Sequence, residues 1–196
     1  MKRQIQRYIA AGFFIAILFL LGCSDNKPGE KIIGNTKTGE GNDTVKIGLE
    51  IGNRAPELAF SSPDGKIMAL SALRGKMVLV DFWAAWCMPC RIENPNLVHV
   101  YNTYKDRKFK EGDGFTIYSV SLDLNKDAWI EAIKSDGLIW STHVSDLQGW
   151  KSVPASQYQI VSIPSNFLID GNGVIIARNL RAEELENTIR SLLEEV

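Results

Sequence analysis

Alternating apolar and polar positions predict a small hairpin that is followed by a buried strand. Apolar segments at 55–61 and 67–70 flank Pro63-Asp64-Gly65, which is typical of a tight turn between two strands. Residues 77–82 are apolar except for Asp81. A short run of this kind is typical of a central strand that is covered on both faces.

A helical pattern follows this strand. Apolar residues recur every three to five positions from Pro89 to about Phe109, which predicts an amphipathic helix. Its apolar positions are Ile92, Leu97, Val100, Tyr101 and Tyr104. Residues 115–122 alternate well enough to form the next strand, and a right-handed crossover through the helix would make the two strands parallel.

The last third of the chain predicts further helices and strands. Asn125 can cap a second helix that ends at Asp136-Gly137. The apolar face of this helix consists of Ala128, Trp129, Ala132 and Ile133. The later elements are a short strand over 138–144, a hairpin of 165–169 and 174–177, and a helix from Ala182. Together these elements predict an α/β sandwich with strands of mixed direction.

The first 22 residues have the pattern of a secretory signal peptide. Three basic residues precede position 8, and residues 8–21 form a charge-free run of 14 residues, which is short for a membrane span of about 20. The stretch Leu20-Leu21-Gly22-Cys23 resembles the lipobox of bacterial lipoproteins, which predicts cleavage before Cys23 and lipidation of that residue. The alternative is an uncleaved membrane anchor with an incidental cysteine. Both interpretations place the domain outside the cytoplasm.

Residues 23–45 predict a lipidated flexible tether, because they lack hydrophobic periodicity and are rich in glycine and polar residues. Residues 46–196 are enough for one globular domain. The chain has 22 Lys and Arg against 23 Asp and Glu, so a net charge of −1 gives no electrostatic reason for nucleic-acid binding. A hydrophobic fraction of 45% excludes a wholly disordered or collagenous chain.

Cys87 and Cys90 fall where the predicted buried strand ends and the first helix begins. The helix dipole and free amide groups there stabilise a thiolate, which favours Cys87 as the attacking sulfur. Cys90, one turn further and more buried, would resolve the mixed disulfide. A zinc site would need four ligands, but the chain has no second CxxC and its only histidines are His99 and His143. A purely structural disulfide would close too small a loop to stabilise the fold much.

Several segments resemble the thioredoxin superfamily, and more narrowly its TlpA/ResA-like thiol-disulfide oxidoreductases, which are extracytoplasmic and membrane-tethered. The resemblance is carried by VLVDFWAAWCMPC, SIPSNFLID and the upstream APEL, PDGK and LRGK, and it covers about residues 50–195. It implies a thioredoxin-like α/β fold, with a central mixed sheet flanked by helices and an N-terminal β-hairpin extension. It also implies a redox disulfide between Cys87 and Cys90, with no metal and no cofactor.

The resemblance assigns further residues to the site. Pro164 matches the cis-proline that faces the cysteine pair in this family, and Ile163 precedes it. A trans proline that begins an edge strand is the alternative. Trp86, Met88 and Pro89 flank the first cysteine and are expected to contact the substrate.

Two acids are expected to act on the cysteine pair. Asp81 interrupts a buried strand, so its pKa should rise, and it corresponds to the aspartate that takes a proton from the second cysteine in thioredoxins. An acid at a strand end that reaches solvent is the alternative. Glu93 matches an acid that TlpA/ResA-like proteins place beside their cysteines, where its charge would raise the thiol pKa values. A solvated acid in an early helical turn is the alternative for Glu93.

The resemblance implies an enzyme that reduces disulfides in client proteins, and Met88-Pro89 supplies no positive charge of the kind that stabilises the reduced form of a strong oxidant. Its partners would be a membrane thiol reductase that delivers electrons, clients such as apocytochrome c during cytochrome c maturation, and the membrane through the lipid anchor. A peroxiredoxin-like thiol peroxidase is the rival enzyme, but Ala84 stands where that class carries a threonine. The remaining alternative is a non-enzymatic binding module with a thioredoxin fold.

Overall fold

The computed structural model describes residues 45–195. The predicted signal peptide at 1–22, the predicted lipidation site Cys23 and the tether up to residue 44 lie outside the described residues. Within residues 45–195, none of the helices is both long and apolar enough to cross a membrane.

The described part of the domain contains nine strands and four α-helices. The strands are β1 (Ala59–Ser61), β2 (Ile67–Ala69), β3 (Met77–Trp83), β4 (Lys108–Phe109), β5 (Gly112–Asp113), β6 (Phe115–Ser121), β7 (His143–Val144), β8 (Ser165–Ile169) and β9 (Ile175–Arg178). The helices are α1 (Met88–Tyr104), α2 (Lys126–Ser135), α3 (Val153–Gln157) and α4 (Ala182–Ser191).

A five-stranded sheet in the order β7, β6, β3, β8 and β9 forms the centre of the domain. Strand β3 lies in its middle, parallel to β6 and antiparallel to β8, so that Asp81 pairs with Ser119 on one side and Asn166 on the other. All seven residues of β3 are buried, as expected for a strand that is covered on both faces. The predicted mixed sheet, the parallel crossover through α1 and both predicted hairpins are confirmed.

Helix α1 is shorter than predicted, because it ends at Tyr104 rather than near Phe109. The residues that follow form the two-stranded ribbon of β4 and β5. Gly114 closes this ribbon with φ +88°, and a Cβ atom there would lie 2.8 Å from the carbonyl oxygen of Lys105. Only glycine fits this close approach.

Some of the predicted apolar faces are wrong in detail. The buried side of α1 consists of Cys90, Asn94, Leu97, Val100 and Tyr104. Ile92 is exposed, because it lies about 200° around the helix from Cys90. In α2, Ala128 is exposed while its neighbour Trp129 is buried. The strand predicted over 138–144 is reduced to β7, the two residues that pair with β6.

The segment before β1 is bonded to the start of β9, the last strand of the sheet. Backbone hydrogen bonds of 2.8–2.9 Å join residues 52–55 to Gly173 and Ile175. Tyr158 fixes the next residue by donating its hydroxyl to the carbonyl oxygen of Pro56 at 2.6 Å. The start of the domain is therefore part of the sheet rather than a loose arm.

Candidate active site

The cysteine pair lies at the junction of β3 and α1. Cys87 caps the N-terminus of α1 with an extended backbone, and its sulfur accepts a hydrogen bond from the amide of Cys90 at 3.2 Å. The two residues form a disulfide with a Cα–Cα distance of 5.3 Å. Pro89 fits the first turn of the helix, where an amide hydrogen would have no helical partner. In the reduced protein, Cys87 would therefore lie where free N–H groups and the helix dipole stabilise a thiolate.

The cysteines are nearly covered, but their neighbours are exposed. Cys87 is 4% exposed and Cys90 1%, whereas Trp86 is 54% and Met88 68% exposed. The ring of Trp86 faces that of Trp150, with 6.2 Å between their centroids. An approach to Cys87 from solvent therefore passes these exposed apolar side chains.

A buried acid that the sequence analysis missed holds the segment before Cys87. Asp123 is 2% exposed, and its carboxylate accepts hydrogen bonds from the amide of Ala85 at 2.9 Å and from the hydroxyl of Ser121 at 2.7 Å. It comes just after β6, which is parallel to β3. Parallel strands end at the same edge of a sheet, and this topology is the signal that could have identified Asp123.

Arg91 holds the same segment from the side of α1. Its guanidinium group donates to the carbonyl oxygen of Ala85 at 3.1 Å and pairs with Asp136, to which Asn94 also donates at 2.6 Å. Burial opposes the ionisation of Asp136, but hydrogen bonds from Arg91 and Asn94 outweigh burial and lower its pKa. The residues before Cys87 are thus tied both to the end of β6 and to the end of α2.

Pro164 lies at the same edge of the sheet as the end of β3. The peptide bond between Ile163 and Pro164 is cis, as the resemblance implies. The next residue, Ser165, begins β8 and pairs with Phe82. Because the bond is cis and β8 is an inner strand, the alternative of a trans proline beginning an edge strand is wrong.

Asp81 is buried in the middle of the sheet, with only 4% of its surface exposed. Burial raises the pKa of Asp81 to about 7, while the positive charge of Arg181 opposes this rise and the negative charge of Glu93 adds to it. The predicted rise of the pKa is confirmed, and the alternative of an acid that reaches solvent is wrong. At neutral pH this carboxyl group can both take up and release a proton.

Glu93 is half-buried and hydrogen-bonded. Its Oε1 atom accepts hydrogen bonds from the amide of Ala182 at 2.8 Å and from the side chain of Asn96 at 3.0 Å. Ala182 is the first residue of α4, so the negative charge of Glu93 lies at the positive end of that helix. The alternative of a simply solvated acid is wrong, because Glu93 links α1 to α4.

Each of the two histidines contacts a residue other than the cysteines. His99 lies on the surface of α1, with its Nε2 atom 3.7 Å from a carboxylate oxygen of Glu186. The Nε2 atom of His143 lies 3.1 Å from the carbonyl oxygen of Leu138, and burial lowers the pKa of His143 to about 4. Among residues 45–195, no group of three or more His, Cys, Asp or Glu side chains is placed to hold a metal ion.

The sequence matches one protein family and is similar to several named proteins. Residues 51–178 match the AhpC/TSA family. The thiol-disulfide oxidoreductase ResA of Geobacillus kaustophilus (strain HTA426) is 30% identical over 152 residues, which cover 76% of this chain and 82% of that protein. ResA of Bacillus subtilis (strain 168) is 26% identical over 177 residues, which cover 90% of this chain and 86% of that protein.

Solved structures similar to the domain have the same kind of name. The thioredoxin domain of a thiol-disulfide oxidoreductase from Bacteroides vulgatus has a TM-score of 0.67 and 36% identity, over 75% of this chain and 100% of that one. A thiol:disulfide interchange protein from Bacteroides sp. has a TM-score of 0.66 and 37% identity, over 76% of this chain and 93% of that one. The sheet and its flanking helices therefore have the thioredoxin-like fold that the sequence predicts.

Proposed function

The chain belongs to the AhpC/TSA family and is a thiol-disulfide oxidoreductase, and we propose that it reduces disulfides of client proteins outside the cytoplasm. The observation that supports this most directly is the position of Cys87, which caps α1, is joined to Cys90 and is bordered by exposed side chains.

In the first step, the thiolate of Cys87 attacks one sulfur of a client disulfide. A bond forms between Cys87 and that sulfur, and the client's other sulfur leaves as a thiolate that takes a proton from water. The amide of Cys90 and the dipole of α1 stabilise the attacking thiolate. The residues proposed to contact the client are Trp86, Met88, Pro89, Ile163 and Pro164.

In the second step, Cys90 resolves the mixed disulfide. The thiol of Cys90 gives its proton to the carboxylate of Asp81, and its sulfur attacks Cys87. The bond between Cys87 and the client breaks, the client leaves as a thiolate, and the Cys87–Cys90 disulfide forms. Two electrons have then passed from the protein to the client. Glu93 is proposed to act on this step through its charge, which raises the pKa of Asp81.

The residues between the cysteines favour reduction over disulfide installation. Met88 and Pro89 carry no charge, whereas a strong oxidant depends on groups that stabilise its reduced form. A reductase in an oxidising compartment must itself be reduced again, so the upstream partner is proposed to be a membrane protein that delivers electrons through thiols. Apocytochrome c, in cytochrome c maturation, is a client that the resemblance implies.

The proposed location follows from the first 45 residues. We assign 1–22 to a signal peptide, 23–45 to a tether lipidated at Cys23, and 46–196 to the thioredoxin-like domain. A flexible tether of this length reaches about 25 Å, since its mean extension is about 5–6 Å times the square root of the residue number. The domain would then work close above a membrane surface.

The reduced protein should accelerate the reduction of insulin disulfides by dithiothreitol and should not accelerate the consumption of hydrogen peroxide. Thiol exchange needs only the cysteine pair, whereas Ala84 is buried and has no hydroxyl group for a peroxide. Turbidity measures the reduction of insulin. The consumption of hydrogen peroxide is measured by a peroxidase assay that is coupled to the oxidation of NADPH. Cys87→Ser is the control and should give the uncatalysed rate. Faster turnover of peroxide than of insulin would indicate a peroxidase, and neither activity would indicate a binding module.

The mature protein should begin at a lipidated Cys23. A basic start and a charge-free run of 14 residues end at Gly22-Cys23, which is the pattern of a cleaved lipoprotein signal. Mass spectrometry of the protein from its host membrane measures the N-terminus, and Cys23→Ala should leave it without lipid. A mature chain that still begins at Met1 would leave only the uncleaved anchor.

A further inference from the structure

Arg181 is bonded to the cis-proline, and its positive charge acts on Asp81. Its guanidinium group donates hydrogen bonds to the carbonyl oxygen of Pro164 and, at 2.7 Å, to that of Leu180. We propose that Arg181 is a positioning residue for thiol-disulfide exchange, which holds the Pro164 carbonyl group and keeps a positive charge beside Asp81. This inference rests on the proposed function and adds a residue that the motifs of the sequence do not identify.

The backbone before Arg181 is fixed to the strand next to Asp81. Asn166 is 2% exposed and pairs with Asp81 in the register of β3 and β8. Its side-chain amide donates to the carbonyl oxygen of Leu180 at 2.8 Å, and its side-chain oxygen accepts from the amide of Leu180 at 2.9 Å. The amide of Asn179 also donates to the carbonyl oxygen of Asn166 at 2.8 Å. Arg181 therefore follows a segment that is held directly against the central strands.

The backbone after Arg181 is fixed as well. The amide of Ala182 donates to the Oε1 atom of Glu93 at 2.8 Å. Arg181 and Glu93 are the charged groups that act on Asp81, the first from the segment before α4 and the second from α1, and they act in opposite directions. The partners of Asp81 on the neighbouring strands, Ser119 and Asn166, are uncharged. Burial therefore raises the pKa of Asp81 most, and two groups of opposite charge act on it in addition.

The chemical consequence concerns the resolving step. Asp81 must be a carboxylate to take the proton of Cys90, and burial disfavours that charged form. A fixed guanidinium group nearby favours the carboxylate, so a larger fraction of the protein can resolve the mixed disulfide at neutral pH. The hydrogen bond from Arg181 to the carbonyl oxygen of Pro164 places the same positive charge in contact with the cis-proline.

The test is the rate at which the mixed disulfide with a fluorescent model disulfide is resolved, measured by stopped flow from pH 5.5 to pH 9. Arg181→Gln should raise the midpoint of the pH profile by about one pH unit and should slow resolution at pH 7 about fivefold. Arg181→Lys keeps the charge and should keep the midpoint near that of the wild type. Glu93→Gln should shift the midpoint in the opposite direction. Arg181→Met replaces Arg181→Gln if thermal unfolding shows that the latter does not fold.

Arg178 and Arg181 both line a surface cleft of about 340 Å³, but Arg178 donates to the carbonyl oxygen of Leu49 at 3.0 Å. Arg178 therefore provides the matched control. Arg178→Gln should leave the midpoint unchanged. In the Asp81→Asn background, Arg181→Gln should cause no further shift. An equal slowing at every pH in both backgrounds would show that Arg181 only packs, and would overturn the inference. If the wild type forms no mixed disulfide at all, the proposed function fails instead, so the two failures are distinguishable.

Discussion

Cys90→Ser should trap a covalent mixed disulfide between Cys87 and its clients, whereas Cys87→Ser should lower exchange to the uncatalysed rate. Only Cys87 caps α1, where the amide of Cys90 and the helix dipole stabilise a thiolate. Cys90 is the less exposed of the two and is placed to attack Cys87, to which it is bonded in the oxidised protein. Serine in its place cannot displace the client, so the mixed disulfide accumulates and the second step does not occur.

Non-reducing electrophoresis and intact mass of the reaction with a single-disulfide client measure this difference. The adduct of Cys90→Ser should have the mass of protein plus client and should disappear on addition of dithiothreitol. The double variant Cys87→Ser/Cys90→Ser is the control for adventitious adducts. An adduct formed by Cys87→Ser rather than by Cys90→Ser would exchange the two roles, and so would faster alkylation of Cys90 by iodoacetamide at neutral pH.

Asp81→Asn should slow the resolution of the mixed disulfide at pH 7 by about 100-fold, which is typical for the loss of a proton acceptor. The amide keeps the shape of the side chain but cannot take the proton of Cys90. The defect should become smaller as pH approaches about 8.5, where a cysteine thiol ionises without help. Stopped-flow measurement of resolution across pH compares the two proteins, with formation of the mixed disulfide as the internal control. Equal resolution rates at every pH would show that Asp81 is not the proton acceptor.

Asp81→Asn should slow resolution but should raise the stability of the folded protein at high pH. The pKa of Asp81 is about 7 in the folded protein against the usual 3.8, so the folded protein keeps a proton that the unfolded chain releases between these values. The stabilisation of the folded protein by this proton is therefore complete below about pH 4 and is lost as pH rises through about 7. The difference between the two pKa values corresponds to about 4 kcal/mol.

Urea unfolding of the oxidised protein at pH 4 and pH 8 measures this effect. Asp81→Asn should raise the free energy of unfolding at pH 8 by about 2–4 kcal/mol, because incomplete hydrogen bonding of the amide offsets part of the gain. At pH 4 the two proteins should differ much less. Asp106→Asn changes an exposed acid and is the matched control. A stability difference that is the same at both pH values would contradict a buried acid with a raised pKa.

The features that the sequence predicts well are those with local signals. The turn at 63–65 lies between two strands that pair as expected. The side chain of Asn125 caps α2 by accepting from the amide of Ala128 at 2.9 Å. The cysteine pair could be placed at a helix start because the apolar run of β3 ends just before it. In each case the residues that decide the structure lie within a few positions of one another.

The features that the sequence did not predict depend on contacts between distant residues. Asp123 bonds to Ala85, which is 38 positions away, and nothing near Asp123 in the chain indicates that partner. Arg181 reaches Pro164, 17 positions away, only because Asn166 fixes the segment before it. Phe109 leaves the predicted helix for β4, and it also forms an isolated bridge to the distant Leu193. Such contacts can be predicted only once the strand order is known.

The hydrogen bonds between residues 52–55 and the outer side of β9 have a consequence for solubility. An open outer strand offers unpaired N–H and C=O groups to any other extended chain, and neighbouring copies can associate through them. Gly52 and Asn53 occupy two such groups of Ile175, and therefore protect the start of this outer strand. A shortened, tether-free version of the domain must begin before Gly52 to keep that protection. Removal of these residues would spare the cysteine pair and yet expose a surface that favours self-association.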